Sequence, residues 1–214
     1  MHAITQRLLL LFCLASATGV SAHAGVRGWY ELGATSIQDA DLKSFLNEPV
    51  SGNKVKFNTG FRGALAVGAE LTPYLALEAE GGFHYNSIRS ISGAAFADGE
   101  LYQFPVLGNL VLQFPNPTGL VPVIGGGVGA VFNYLDSHNI TLGASRLSST
   151  EETWSFAYQG YAGLLYSFRP DMALGVSYHY LSNDGPTWDL GAGNNVKFNH
   201  LAIHSLVLAF SYRF

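Results

Sequence analysis

The chain has 214 residues, a formal net charge of −4, only 12% charged residues, 13% aromatic residues and 25 glycines. This mild acidity argues against a nucleic-acid partner, and the charged fraction is about half that of an average soluble protein. After the first 24 residues, no segment approaches the roughly 20 apolar residues that a membrane-spanning helix needs. Such a composition is typical of a transmembrane β-barrel, in which apolar residues alternate along strands; a soluble β-sandwich is the alternative.

The N-terminus has the pattern of a secretory signal peptide. One positive charge precedes an apolar run from Leu8 to Ala17, and Ala22–Ala24 offers small residues at the two positions that a signal peptidase inspects. We therefore predict a signal peptide over residues 1–24 and a single mature domain over residues 25–214. Cys13, the only cysteine, lies inside the signal, so the mature chain is expected to have no disulfide.

Eight segments of the mature chain alternate between large apolar residues and small or polar residues. A period of two predicts strands, because successive side chains of a strand point to opposite faces. The last segment is the clearest example, since its large apolar residues share one parity and Arg213 lies on the other. The eight predicted strands lie near residues 28–36, 57–71, 74–87, 100–114, 121–135, 153–168, 172–182 and 201–214.

The connections between these strands alternate in length. Three are short and contain proline, which sets the turn, and four are long and rich in Gly, Ser, Asn and Asp. We therefore predict an all-β, eight-stranded antiparallel up-and-down transmembrane β-barrel with both chain ends on the short-turn side. In the first long connection, Asp41–Leu46 is predicted to form one helical turn. The long connections cover residues 37–56, 88–99, 136–152 and 183–200.

The charged residues of the predicted strands share one face. Arg62 and Glu70 oppose Phe61 and Leu65, for example, and we expect no charged residue on the apolar face. The bulky face should meet lipid, because side chains just fill the lumen of an eight-stranded barrel. The polar face then forms a buried network of ion pairs and water, with a cation path as the alternative. This predicted lumen network consists of Glu31, Arg62, Glu70, Glu78, Glu80, His84, Gln103, Asn109, Gln159, His179 and Arg213.

One ion pair is predicted in particular. Glu31 lies near the start of the first strand and Arg213 near the end of the last, and both have lumen parity. Barrel closure makes these two strands antiparallel neighbours, so the two charges are expected to meet across the closing seam.

The signal, the eight strands, the alternating connections and the terminal Phe214 resemble the small outer-membrane β-barrel superfamily of the OmpA transmembrane domain, OmpX and opacity-type surface proteins. Gly68–Tyr74 resembles a periplasmic turn of this group. The resemblance implies an outer-membrane protein with both termini in the periplasm, in contact with outer-membrane lipids and lipopolysaccharide. It also implies a barrel-assembly machinery that reads Phe210, Tyr212 and Phe214 as a signal, and periplasmic chaperones. We expect a monomer with no nucleic-acid partner, no cofactor and no metal.

The fold does not decide the activity. We favour a non-enzymatic surface barrel with a side-chain-filled lumen, whose long extracellular loops have a structural, adhesive or host-contact role. A narrow porin-like channel is one alternative. A second comes from His179 to Asn183, which resembles the His-x-Ser-Asn motif of lipid A 3-O-deacylases. Here an extra residue puts His179 and Ser182 on opposite faces of a strand. A convincing acidic third member is missing, although Asp184 and Asp189 are near in sequence, so we predict that the chain is not an enzyme.

Overall fold

The computed structural model describes residues 25–45, 48–49, 52–142, 145–191 and 194–214. The predicted signal peptide lies outside these residues. The strands are β1 (Val26–Ile37), β2 (Ala40–Phe45), β3 (Glu48–Pro49), β4 (Lys54–Phe57), β5 (Gly60–Thr72), β6 (Leu75–Ile91), β7 (Ala94–Gln113), β8 (Leu120–Leu142), β9 (Ser145–Ser167), β10 (Met172–Asp184), β11 (Thr187–Gly191), β12 (Asn194–Phe198) and β13 (His200–Arg213).

Eight of these strands close into a barrel. β1, β5, β6, β7, β8, β9, β10 and β13 pair in that order, every pairing is antiparallel, and β1 also pairs with β13. The predicted eight-stranded antiparallel barrel is therefore confirmed. Closure removes the free sheet edges and satisfies the backbone donors and acceptors that lipid cannot. Within the described residues, no helix is long and apolar enough to cross a membrane.

The outer face of the barrel carries the large apolar side chains. Leu32 and Leu208 are each 70% exposed and Trp154 is 63% exposed. One expectation for this face is wrong, because Glu100 has the same parity as the outward Tyr102. Its carboxylate accepts hydrogen bonds from the Tyr85 hydroxyl at 2.9 Å and the Tyr102 hydroxyl at 2.5 Å, and these two bonds compensate its position on the apolar side.

Two of the four predicted long loops are mostly strand. β6 runs to Ile91 and β7 begins at Ala94, so a tight turn with Gly93 at φ 80° joins them. β8 and β9 likewise pair out to Leu142 and Ser145. Cross-strand hydrogen bonds satisfy the backbone N–H and C=O groups of these polar segments, which extend beyond the apolar band. Composition alone did not reveal this pairing.

The other two long connections form a small sheet, which we call the loop sheet. It consists of β11, β12, β2 and β4 in that order, and β4 continues the pairing onto the end of β6. The helical turn predicted over Asp41–Leu46 is wrong for Asp41–Phe45, which belong to β2, and Leu46 lies outside the described residues. In β2, Asp41 and Lys43 are exposed while Leu42 and Phe45 are buried. Their alternation has a strand period and suits a sheet with one buried face.

The loop sheet covers an apolar core at the loop end of the barrel. The members of this core are at most 7% exposed and come from the loop sheet and from the inward faces of the barrel strands. The interior was expected to hold small and polar residues throughout, and this half contradicts that expectation. The core contains Ile37, Leu42, Phe45, Val55, Ile88, Leu101, Val131, Leu135, Leu181, Trp188, Phe198 and Ile203.

Candidate functional site

The polar interior is centred on one arginine. Arg62 on β5 is 1% exposed, and its Nη2 donates to Glu31 Oε2 at 2.6 Å and to Glu80 Oε1 at 3.0 Å. The other oxygen of Glu80 accepts from Asn109 Nδ2 at 2.9 Å and Gln159 Nε2 at 2.5 Å. A buried charge is tolerable only when it is paired and hydrogen-bonded. The charges of this cluster are paired, although Arg62 Nε has no hydrogen-bond partner among the described residues. The five side chains tie β1, β5, β6, β7 and β9 together across the lumen.

A second group lies between this cluster and the turn end. Glu78 accepts a hydrogen bond from the Tyr161 hydroxyl at 3.2 Å, and the Tyr161 ring stacks on His179 at 4.6 Å between centroids and 12° between planes. Gly125 makes room for this ring, since a Cβ there would lie 2.2 Å from the Tyr161 Cζ atom. The glycine-rich stretch of β8 thus accommodates lumen side chains.

An amide group lies among the residues of the apolar core, since Val131 and Leu135 flank Asn133 along β8. Asn133 Oδ1 accepts from Gln103 Nε2 at 2.8 Å and Asn183 Nδ2 at 2.9 Å, and Asn133 Nδ2 donates to Ser155 Oγ at 2.9 Å. His84 pairs in register with Gln103 and is 1% exposed. Its ring nitrogens have no hydrogen-bond partner among the described residues.

The turn end holds a separate charge cluster. Glu70 Oε1 lies 3.0 Å from Arg27 Nη2 and 2.7 Å from Arg213 Nη2, and Gln113 contacts both Arg27 and Glu70 at 3.5 Å. The predicted pair between Glu31 and Arg213 is wrong. The register puts Glu31 opposite Ala209 and Arg213 opposite Arg27, because the shear of the barrel displaces residues that look level in the sequence.

The deacylase-like residues do not form a catalytic arrangement. Ser182 pairs with Tyr158 and Ala202 and has the parity of the outward Tyr178 and Tyr180, whereas His179 faces the lumen. His179 Nε2 instead contacts Ser177 Oγ at 2.8 Å, and the same nitrogen is the one nearest Glu31, at 4.0 Å. A triad needs the acid on the other ring nitrogen, and His179 Nδ1 has no partner in the described part of the chain.

The eleven residues of the predicted lumen network have inward parity and lie in four groups. These are the cluster around Arg62, the group of Glu78 and His179, the amide group of Gln103 beside His84, and the turn-end cluster of Glu70 and Arg213. Sequence reasoning missed several members that have the same inward parity, and parity within their strands would have found them. The missed members are Arg27, Gln113, Asn133, Tyr161, Ser177 and Asn183.

The predicted assembly residues lie at the end of β13. Phe214 is 77% exposed, and its ring meets that of Tyr212 edge-on at 5.1 Å. Phe210 packs 6.3 Å from Tyr30. Their role in assembly stays a prediction. Among the described residues, no group of three or more His, Cys, Asp or Glu side chains is placed to hold a metal ion.

Comparison with known proteins places this architecture in a family. The model of the outer membrane protein beta-barrel domain matches residues 8–214. The chain belongs to this family. Membership implies the outer membrane as its location. A sequence search of curated proteins finds no match.

Three solved structures of outer-membrane proteins are similar in fold to this chain. Neisserial surface protein A has a TM-score of 0.54 and 13% identity, with 88% of this chain and 97% of that chain covered. OprG from Pseudomonas aeruginosa has a TM-score of 0.51 and 15% identity, covering 89% and 95%. The outer membrane protease OmpT from Escherichia coli has a TM-score of 0.53 at 7% identity, covering 93% and 100%. At these identities the likeness concerns the fold alone, and a protease among them shows that the fold does not decide the activity.

Proposed function

We propose that this protein is a non-enzymatic, non-conducting outer-membrane barrel whose loop sheet is a rigid contact surface outside the cell. The observation that carries the proposal is the closed interior, where a half with buried charged groups is followed by an apolar core beneath the loop sheet. A structural or adhesive role at the surface suits a barrel that is closed at its loop end.

The two halves of the interior oppose ion flow in different ways. In the polar half, Arg62 and Glu80 are 1% and 5% exposed and form an ion pair with each other. Neither charge is therefore free to bind a passing ion. In the apolar half, a hydrated ion meets side chains such as Val131 and Ile203, both 0% exposed. Stripping an ion of water without new partners is strongly unfavourable, so the apolar core is the stronger barrier.

The loop sheet offers an ordered outer surface. All four lysines of the chain lie on it, and all four are exposed. On the opposite face of the same strands, side chains such as Val55 and Trp188 are fully buried. The sheet therefore presents a charged face that is held in place by an apolar one. The lysines are Lys43, Lys54, Lys56 and Lys197.

The orientation is part of the proposal. We infer that the turn end and both termini are periplasmic and that the loop sheet faces outward, as short turns and longer loops are arranged in bacterial barrels. Outer-membrane lipids and lipopolysaccharide then surround the apolar band, and the assembly machinery and periplasmic chaperones act before insertion. We expect a monomer.

Lysine labelling tests this orientation. A membrane-impermeant amine reagent added to intact cells should label the wild-type protein on the loop sheet. A variant with all four lysines changed to arginine should lose that label and keep its surface level. Labelling of the wild type only after the outer membrane is permeabilised would overturn the orientation.

Planar-bilayer recording tests the closed lumen. Refolded protein, shown to be folded by its altered mobility before boiling in SDS gels, should give no stable conductance steps in 1 M KCl. Reproducible steps from the wild type would favour the narrow channel over the proposal.

Adherence assays test the contact role. Cells that display the wild type should adhere to an epithelial monolayer more than cells displaying the double variant Lys43→Glu, Lys197→Glu. Arg169→Glu, which alters an exposed arginine at the opposite end of the barrel, is a charge-reversal control outside the loop sheet. Equal adherence of wild-type cells and cells without the protein would contradict a contact role for these epithelial surfaces.

A further inference from the structure

The turn end of the barrel opens into a cavity of about 540 Å³. This volume lies within the usual range of small-molecule sites, roughly 300–1,000 Å³. Three guanidinium groups and one carboxylate line it, together with an amide and two hydroxyl side chains. The charged lining residues are Arg27, Arg169, Arg213 and Glu70.

This lining contains more positively charged side chains than carboxylates to pair with them. Arg27 and Arg213 both lie against the same oxygen of Glu70, at 3.0 and 2.7 Å, so one carboxylate serves two guanidinium groups. Arg213 Nε is shielded from solvent and has no hydrogen-bond partner in the described residues. Arg169 Nε lies 3.9 Å from Asp171. The lining does not include the carboxylate of Asp171 or the terminal residue Phe214, so Glu70 is the acidic residue within it.

The barrel holds these groups in place. Arg27 is only 14% exposed, and its guanidinium carbon sits 5.4 Å from the centroid of the Trp29 ring. Glu70 is 17% exposed, and its backbone N–H donates to the Gly25 carbonyl at 3.0 Å. A guanidinium that is already positioned loses less freedom when it binds an anion.

We propose that this cavity is a binding site for a small organic anion that presents a carboxylate or a phosphate group from the turn end. The anionic group binds between Arg27 and Arg213, where planar N–H donors match its oxygens. The rest of the ligand contacts the apolar rim, which includes Leu71, Pro115 and Pro170. This site goes beyond the proposed function of the loop sheet and does not depend on it.

Glu70 determines the strength of this site, because it competes with the ligand for the same donors. The effect of removing its charge therefore separates a ligand site from a purely structural ion cluster. A ligand site gains affinity when the competing carboxylate becomes an amide. A structural cluster only loses stability.

The experiment is a titration of the refolded mature protein in a non-ionic maltoside detergent, followed by the NMR signals of the arginine Nε–H groups. The phosphate arm uses glycerol 3-phosphate with glycerol as control. The carboxylate arm uses an acetylated dipeptide with a free C-terminus and the same peptide amidated. Saturable shifts of the Arg27 and Arg213 signals are expected in at least one arm, and the arm that binds more tightly identifies the source chemistry.

Three variants make the test decisive. Glu70→Gln should tighten binding several-fold, Arg213→Gln should weaken it at least tenfold, and Arg89→Gln, an exposed arginine near the other end of β6, should leave it unchanged. Unchanged or weaker binding by Glu70→Gln, or no saturable shift in either arm with the wild type, would overturn the proposal. If Arg213→Gln does not refold, the wild type and Glu70→Gln still decide it.

Discussion

The two halves of the barrel interior solve the same packing problem with different chemistry. Toward the turn end, five strands are joined by Arg62, two glutamates and two amides, with contacts between 2.5 and 3.0 Å. Toward the loop end, most inward positions carry leucine, isoleucine and valine under Trp188, packed around the amide group of Asn133. The polar half depends on the pairing of a few charged groups, whereas the apolar half depends on total packed volume.

This difference predicts different responses to substitution. Losing one member of an ion cluster leaves its partners charged and buried. Losing one apolar side chain leaves a cavity that its neighbours fill in part. The polar half should therefore fail globally, while damage to the apolar half should be largest in the loop sheet that covers it.

Arg62→Met should cause the largest loss. It leaves Glu31 and Glu80 without their cation, and removing one partner of a buried pair costs about 3–5 kcal/mol. Urea unfolding in liposomes measures the free energy of unfolding. Arg89→Met, which alters an exposed arginine, should change it by less than about 0.5 kcal/mol.

A triple variant sharpens this prediction. Arg62→Met combined with Glu31→Gln and Glu80→Gln removes the stranded charges and should recover much of the loss. No recovery would mean that the packing of Arg62, and not its pairing, stabilises this half.

Trp188→Ala should destabilise the loop sheet by about 3–5 kcal/mol, the usual range for a buried tryptophan. Trp188 is fully buried and packs edge-on against Phe198 at 5.3 Å. Amide hydrogen exchange should show faster opening of β2, β4, β11 and β12 with little change in the turn-end half of the barrel. Thr187→Ala is the matched control, since Thr187 is exposed on the same strand. Faster exchange throughout the barrel would show that the two halves are one cooperative unit.

Leu208→Arg places a cation on the outer face, where Leu208 is 70% exposed. Near the middle of a bilayer this should cost about 2–4 kcal/mol, and Leu65→Arg should behave similarly. Ala66→Ser, at an inward position of β5, serves as the control. Equal unfolding free energies for all three variants would contradict the assignment of the two faces.

Asn133→Val should have a smaller effect, about 1–3 kcal/mol, because it removes the acceptor shared by the Gln103 and Asn183 amides. Replacing all three amides by apolar residues should reduce this loss, because the residues around them belong to the apolar core. Urea unfolding of the single and triple variants provides the comparison. A triple variant less stable than Asn133→Val would show that this part of the interior must be polar.

Several features were predictable because they repeat along every strand. The alternation of Leu206, Leu208 and Phe210 with smaller residues requires a strand with two different faces, and eight such segments predict the barrel. Arg62, Glu80 and Gln159 could be assigned to the lumen by parity alone. The loop sheet was harder to predict, because Asp41–Phe45 is short and polar at alternate positions, and its buried face exists only when β12 lies beside it.

The sequence by itself determined which face of each strand meets lipid, because side-chain parity is a local property of an extended chain. Only the tertiary structure decided which charges meet. Glu31 binds Arg62 and not Arg213, and Glu70 lies between Arg27 and Arg213. These pairings depend on the register and shear of the closed barrel, which arise from all eight strands together and leave no signature within any one of them.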